Sequence, residues 1–161
     1  MSRDVPGPGA PSPGGPSPGG RDGPLVEPWR HRVVGARVAR LATVTRAGRP
    51  HVVPCCFIVV PGRSGDVAYS AVDGKPKSSP ALKRLENVAA TPWASLLVDH
   101  YVEDWSALWW VRLDGPARVV ADPAEAEAAR SGLRAKYPQY GSVALPGPVL
   151  AVEIGRWRHW P

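Results

Sequence analysis

The feature that most restricts the fold of this chain is a series of short runs rich in β-branched and aromatic residues. The runs lie at 38–45, 51–60, 66–70, 93–102, 105–113 and 147–154. Turn segments such as RAGR and PGRSG join neighbouring runs as hairpins. A parallel sheet would need a crossover after nearly every strand, so the pattern predicts a mainly β domain, a small antiparallel barrel of six or seven strands.

Three segments predict helices that flank the barrel, at residues 28–37, 78–88 and 123–137. Before the third helix, Asp122 is a good N-cap and Glu125 is placed to close a capping box. The strand that begins at 105 is expected to continue past Gly115 and Pro116 into 117–120, with a bend at that pair.

The run at 51–60 is apolar without alternation, which predicts a strand buried on both faces. Pro54 cannot donate to a ladder, so it marks an edge, a bulge or a close approach to the backbone. Cys55 and Cys56 are adjacent and point to opposite faces of a strand, which disfavours a mutual disulfide or a metal pair. Buried, reduced thiols and a cytoplasmic location fit this arrangement.

Residues 1–27 are predicted to be a disordered tail, and residues 28–161 to be the folded domain. The tail consists mostly of Pro, Gly, Ser and charged residues, so it has little apolar surface to offset the entropy of ordering. No apolar run approaches the roughly 20 residues of a membrane span. The net charge of +6 favours an anionic partner, whether nucleotide, nucleic acid or acidic cofactor.

The segment DGKPKSSP, residues 73–80, gathers two lysines and two serines at the start of a helix. A helix N-terminus presents free N–H groups and the positive end of the helix dipole, which suits an anion and a phosphate in particular. A capped helix beside two solvated lysines is the alternative. Because the segment directly follows the strand at 66–70, it would lie at a barrel end, where small ligands bind.

Several segments together resemble the split-barrel flavin and deazaflavin proteins related to pyridoxamine 5′-phosphate oxidase. They are RLATVTRAGRPHVVPCCFIV, AYSAVDGKPK, LKRLENV, ASLLVDHYVEDWSALWWVRLDGPARV and LRAKYPQY. The KPK segment with DHYVEDWSALWWV is similar to the actinobacterial branch that uses coenzyme F420, an 8-hydroxy-5-deazaflavin. The resemblance implies a split β-barrel homodimer with its cofactor at the subunit interface.

The resemblance also implies a set of cofactor-binding residues. The strand that carries His51, Val52, Val53 and Pro54 would lie along the tricyclic ring. The phosphate and the acidic tail would be held by Tyr69, Ser70, Lys75, Lys77, Ser78 and Ser79. Trp109 would cover the ring from the second subunit, on a strand where Trp105 shares its face.

The implied function is hydride transfer from reduced F420 to an electron-poor unsaturated organic substrate. No dedicated catalytic base is required, and the candidate proton donors are His100, Tyr101, Tyr137 and solvent. The C-terminal GRWRHWP resembles the substrate-binding motifs of true pyridoxamine phosphate oxidases poorly, so vitamin B6 oxidation is not expected.

Other readings remain open. An FMN enzyme of the same fold and a cofactor-binding protein without turnover are the main alternatives. A nucleic-acid binder would need its tryptophans on one exposed face with a basic stripe, which the regular burial pattern does not suggest, so no nucleic-acid partner is expected. The histidines and the acids at 103–104 have no recognised ligand spacing, so no metal is expected. Residues 130–143 are either a loop over the pocket or an ordinary connection.

Overall fold

The computed structural model describes residues 27–74 and 83–160. The strands in these residues are β1 (Ala39–Val44), β2 (Pro50–Cys55), β3 (Ile58–Pro61), β4 (Asp66–Ala71), β5 (Trp93–His100), β6 (Trp109–Val119), β7 (Val149–Glu153) and β8 (Arg156–Trp160). The helices are α1 (Glu27–Gly35), α2 (Lys83–Ala90) and α3 (Pro123–Lys136), with short 3₁₀ helices at Trp105–Ala107 and Pro138–Gly141. All strand pairs are antiparallel, which confirms the mainly β architecture with flanking helices.

Strand β6 organises the fold because it belongs to two sheets. Its first part pairs with β5 and β8, and its last three residues pair with β7. The change of partner follows Gly115 and Pro116, which confirms the expected bend within one continuous strand. A Cβ on Gly115 would lie 1.8 Å from the Glu153 carbonyl oxygen, so only glycine lets β6 and β7 approach this closely.

The prediction of one strand over 51–60, buried on both faces, is wrong. The chain leaves the ladder after Cys55, and β2 and β3 lie at the two ends of the strand order β2-β1-β5-β6-β7-β4-β3. The hydroxyl of Tyr137 accepts a hydrogen bond from Phe57 N–H at 3.0 Å and donates one to Phe57 C=O at 2.9 Å. A side chain therefore satisfies the backbone where the strand is interrupted.

The apolar residues form two clusters, one inside the barrel and one beneath α3. The first contains Phe57, Leu41, Leu96, Val98, Val111 and Leu113, among others. The second contains Ile58, Leu133, Tyr137, Tyr140 and Val149, among others. Tyr137 and Tyr140 are buried in this cluster, and residues 130–136 belong to α3, so the structure favours an ordinary connection over a pocket loop for 130–143.

Three further expectations need correction. The capping box does not form at α3: Asp122 accepts from Ala124 N–H at 3.0 Å, but Glu125 bonds Arg118 and Tyr69 instead. Trp105 lies in a 3₁₀ helix before β6, so it does not share a strand face with Trp109. The eighth strand arises because Arg156–Trp160 forms β8, which alternation alone did not predict.

The helix predicted over 78–88 is described from Lys83 onward, and its expected cap at Ser78 or Ser79 lies outside the described residues. In the described part, Val88 is buried and Leu85 packs against the barrel core. Within residues 27–74 and 83–160, no helix combines the length and apolar character needed to cross a bilayer.

Candidate functional site

Strand β2, which carries His51 to Pro54, is an edge strand. Within the described residues it pairs only with β1, in a continuous register from Val44↔Pro50 to Ala39↔Cys55. Of the three alternatives predicted for Pro54, the structure confirms the edge strand, and the continuous register excludes a bulge. Val52 and Pro54 face outward, and within the described residues no strand pairs with the other edge of β2.

The inward residues of β2 are fixed by the barrel. Val53 and Cys55 pack against the barrel core. His51 Nδ1 lies 3.4 Å from Thr43 Oγ1, which also accepts from Asn87 Nδ2 at 3.0 Å. These contacts hold β2 in place from the inside while its outer side chains stay free.

Tyr69 and Ser70 lie on opposite faces of β4, as adjacent strand residues must. Burial raises the pKa of the Cys55 thiol to about 11, and the neighbouring Ser70 side chain partly opposes this rise. The end of β4 thus lies beside the end of β2. The Tyr69 hydroxyl instead points away and donates to Glu125 Oε1 at 2.7 Å.

The remaining residues predicted to hold the phosphate, Lys75, Lys77, Ser78 and Ser79, lie outside the described residues. The segment that leads to them is described and is anchored. Val72 N–H donates to Pro148 C=O at 3.0 Å, and Gly74 N–H donates to Ala144 C=O at 2.9 Å. The chain thus passes from β4 along the loop before β7.

Trp109 is half-buried in a stack of planar groups from its own chain. It stacks on His100 with ring centroids 5.9 Å apart, and the Arg32 guanidinium lies 5.3 Å from its centroid. Arg32 also lies 4.7 Å from the Trp29 ring, which stacks on His159 at 4.6 Å. The role of Trp109 over a partner's ring stays a prediction.

The candidate proton donors differ in their availability. Tyr101 is 70 % exposed, and His100 is exposed beside Trp109. The Tyr137 hydroxyl is already engaged by Phe57, and burial raises the pKa of Tyr137 to about 12. Tyr137 therefore serves the fold. Among residues 27–74 and 83–160, no three His, Cys, Asp or Glu side chains come together as a metal site would require.

Sequence reasoning missed an open groove of about 710 Å³ between the β3–β4 turn and the start of α3. Its floor is an ion-pair network in which Arg118 bonds Glu125 through two nitrogens, at 3.1 and 2.7 Å. Arg118 holds the pKa of Glu125 low, and burial, aided by Glu125, raises the pKa of Tyr69 to about 12. These groups satisfy one another, so the network serves to tie β4 and β6 to α3.

The outer face of the sheet β2-β1-β5-β6-β8 also escaped sequence reasoning. Direct pairing places one set of side chains on this face: Val44, Ala42, Arg40, Pro50, Val52, Pro54, Ser95, Leu97, Asp99, Trp110, Arg112, Asp114, Arg156, Arg158 and Trp160. Val52 is 58 % exposed, and Val44 and Trp160 are each 38 % exposed. The face thus combines exposed apolar side chains, two tryptophans and several arginines.

Comparison with known proteins places this geometry in context. A family model described as pyridoxamine 5′-phosphate oxidase matches residues 26–161. No curated protein matches the sequence significantly. Many solved structures match this chain.

Three of these structures illustrate the range. A conserved hypothetical protein from Mycobacterium tuberculosis has a TM-score of 0.67 at 18% identity, covering 86% of both chains. A conserved protein of unknown function from Corynebacterium diphtheriae has a TM-score of 0.60 at 21% identity, covering 83% of this chain and 91% of that one. The heme storage protein HutZ from Vibrio cholerae has a TM-score of 0.58 at 17% identity, covering 83% and 91%. At these identities the likeness extends to the fold alone.

Proposed function

Because this chain belongs to the pyridoxamine 5′-phosphate oxidase family, we propose that it is a coenzyme F420-dependent oxidoreductase. When bound, the reduced deazaflavin supplies a hydride for an electron-poor unsaturated organic substrate. The chain's own residues would bind and orient the ring, hold the anionic tail and exclude water from the reacting atoms. The proton would come from Tyr101, His100 or solvent, since Tyr137 is engaged in the fold.

The observation that carries the proposal is the junction between β2 and β4. The Ser70 side chain lies beside the Cys55 thiol, so the strand proposed to lie along the ring ends next to the strand that leads to Lys75 and Lys77. The open edge of β2 offers backbone groups to the polar edge of a flat ring, and Val52 and Pro54 offer apolar surface beside it. A ligand with a planar ring at one end and a phosphate at the other fits this order of elements.

The charge of the chain favours F420 over FMN. F420 carries a phosphodiester followed by several glutamates, whereas FMN carries one phosphate. A net charge of +6, with lysines at 75 and 77, suits the more anionic cofactor.

Titration of the purified full chain with F420, with FMN and with hemin tests the proposal. Micromolar F420 binding with much weaker FMN binding is the expected result, followed by substrate reduction with reduced F420. Tighter FMN binding would indicate a flavin enzyme of the same fold. Hemin binding alone would indicate a carrier without turnover, the kind of protein that the heme storage protein HutZ is named to be.

The double variant Lys75→Ala/Lys77→Ala should weaken F420 binding by more than about 2 kcal/mol, roughly 30-fold. This figure takes charged hydrogen bonds at about 1.5–3 kcal/mol each and discounts them for solvent screening. FMN should suffer less because its anionic part is smaller. Lys83→Ala is the matched control, since the Lys83 ammonium pairs with Glu86 at 2.8 Å. An F420 affinity unchanged in the double variant would rule out the lysines as the tail site.

We further propose that two copies of the chain associate through the outer sheet face. The exposed apolar residues Val44, Val52 and Trp160 would be buried, and the face carries both signs of charge. The charges pair within one copy, Arg40 with Asp99 and Arg112 with Asp114, so a twofold axis can bring the apolar residues of the two copies together without leaving these carboxylates unpaired. The proposed ring strand β2 lies at the border of this face, so the second copy would complete the cofactor site.

Sedimentation of the full chain tests this association. The wild type should sediment as a dimer, and Val52→Glu, which sets a carboxylate within the proposed apolar contact, should sediment as a monomer. Glu103→Gln, on the loop outside the sheet, is the control. A monomeric wild type that binds single-stranded oligonucleotides with steep salt dependence would instead assign the arginines and tryptophans of this face to nucleic acid.

A further inference from the structure

Two cations share the ring of Tyr137 at the C-terminal end of α3. The Arg37 guanidinium lies 4.6 Å from the ring centroid, and the Lys136 ammonium lies 5.5 Å from it. The ammonium also lies 4.2 Å from the centroid of the Phe57 ring. We name Arg37, Lys136 and Tyr137 the α3 corner.

The ammonium of Lys136 is buried, and within the described residues it has no hydrogen-bond partner. Among the residues that the structure describes, Arg37 donates to two neutral oxygens, the Lys136 carbonyl and Gln139 Oε1. The two preceding cations of α3 differ, since Arg130 and Arg134 both pair with Glu127. The α3 corner thus holds two positive charges without a carboxylate counterpart in the described residues.

Ordinary helix chemistry explains part of this arrangement. Cations are favourable at a helix C-terminus, and the two rings attract the ammonium electrostatically. Neither effect supplies the hydrogen bonds that a buried ammonium loses with its water. Burial first, and then the Arg37 charge, lowers the pKa of Lys136 to about 8, while the Cys56 thiol opposes this change.

We propose that the α3 corner binds a small anionic group, a phosphate or a carboxylate. Lys136 would donate to it from the buried side and Arg37 from the exposed side, so the anion would remove the repulsion between them. The corner adjoins Cys56 and Phe57, the two residues that follow β2. The anion therefore belongs either to the tail of the cofactor or to a second ligand beside it.

Binding of inorganic phosphate to the full chain, without any cofactor, is the direct test. Isothermal titration at pH 7 and constant ionic strength should show phosphate binding that weakens at least tenfold in Lys136→Met and in Arg37→Gln. Arg134→Gln is the matched control, because it removes one charge from the same turn of α3 and should bind phosphate like the wild type. Equal phosphate affinity in all four proteins, or none in the wild type, would overturn the proposal.

A second titration identifies the source of the anion. F420 and its deazaflavin chromophore, which lacks the phosphodiester and the glutamates, are each titrated into Lys136→Met. If Lys136→Met binds F420 more weakly than the wild type does but binds the chromophore equally well, the corner holds the cofactor tail. If neither affinity changes, the corner holds a separate anion. A chain that binds phosphate at the corner but no F420 would leave this inference standing while rejecting the proposed cofactor.

Discussion

The hydroxyl of Tyr137 gives the most direct test of how the barrel is held together. It meets both backbone groups of Phe57 at the break between β2 and β3, at 3.0 and 2.9 Å. Phe57 is fully buried, so Tyr137→Phe leaves an N–H and a C=O without water or protein partners. An unsatisfied buried group costs about 1–3 kcal/mol, and with partial relaxation we expect a loss of about 2–4 kcal/mol in unfolding free energy.

Urea unfolding, followed by tryptophan fluorescence, measures this loss. The midpoint should fall while the slope with denaturant stays constant, since the compactness of the two states does not change. Tyr140→Phe is the control, because the Tyr140 hydroxyl lies beside the Cys56 side chain and bonds no backbone group within the described residues. It should cost less than about 1 kcal/mol. A loss below about 0.5 kcal/mol in Tyr137→Phe would refute the role of this hydroxyl as the substitute for ladder bonds.

Three further predictions concern stability. Gly115→Ala should cost more than about 3 kcal/mol in urea unfolding, because its Cβ would meet a backbone oxygen that cannot yield. Asp122→Ala should cost about 1 kcal/mol through loss of the α3 cap. Lys136→Met should gain about 1 kcal/mol at pH 7, after a discount for solvent and lost cation–π contact. Because the folded pKa of about 8 lies below 10.5, that gain should disappear as the pH rises from 8 to 10.5.

Much of the fold follows from local signals in the sequence. Hairpin turns, the Asp122 cap and the bend at Gly115 are set by residues close to one another in the chain, so pattern and turn chemistry predict them. The interruption at Cys56 and Phe57 could not be predicted in this way, because its backbone groups are satisfied by Tyr137, 80 residues away. The placement of Glu125 was missed for the same reason, since Tyr69 lies 56 residues before it.

The candidate site also combines features that follow from local sequence with features that depend on tertiary packing. An edge strand at β2 was one of the alternatives that the sequence offered, because a single residue, Pro54, cannot donate a hydrogen bond to a ladder. The contact of Ser70 with Cys55 and the pairing of two cations on Tyr137 depend on tertiary packing, which periodicity does not encode. The clearest available signal was the adjacent cysteine pair: a strand that ends at Cys55 directs the two thiols into different environments.

The adjacent residues Cys55 and Cys56 link the proposed cofactor site to the α3 corner, because each thiol faces one of the two sites. Cys55 faces Ser70 at the end of β4, whereas Cys56 faces Tyr140 and influences Lys136. The strand break between β2 and β3 thus lies between the two sites, and Tyr137 secures it from α3. A substitution that loosens this break should therefore weaken F420 binding and phosphate binding together, whereas Lys136→Met should weaken phosphate binding with the barrel intact. Comparing Tyr137→Phe with Lys136→Met in both titrations separates a structural role of this region from direct contact with a ligand.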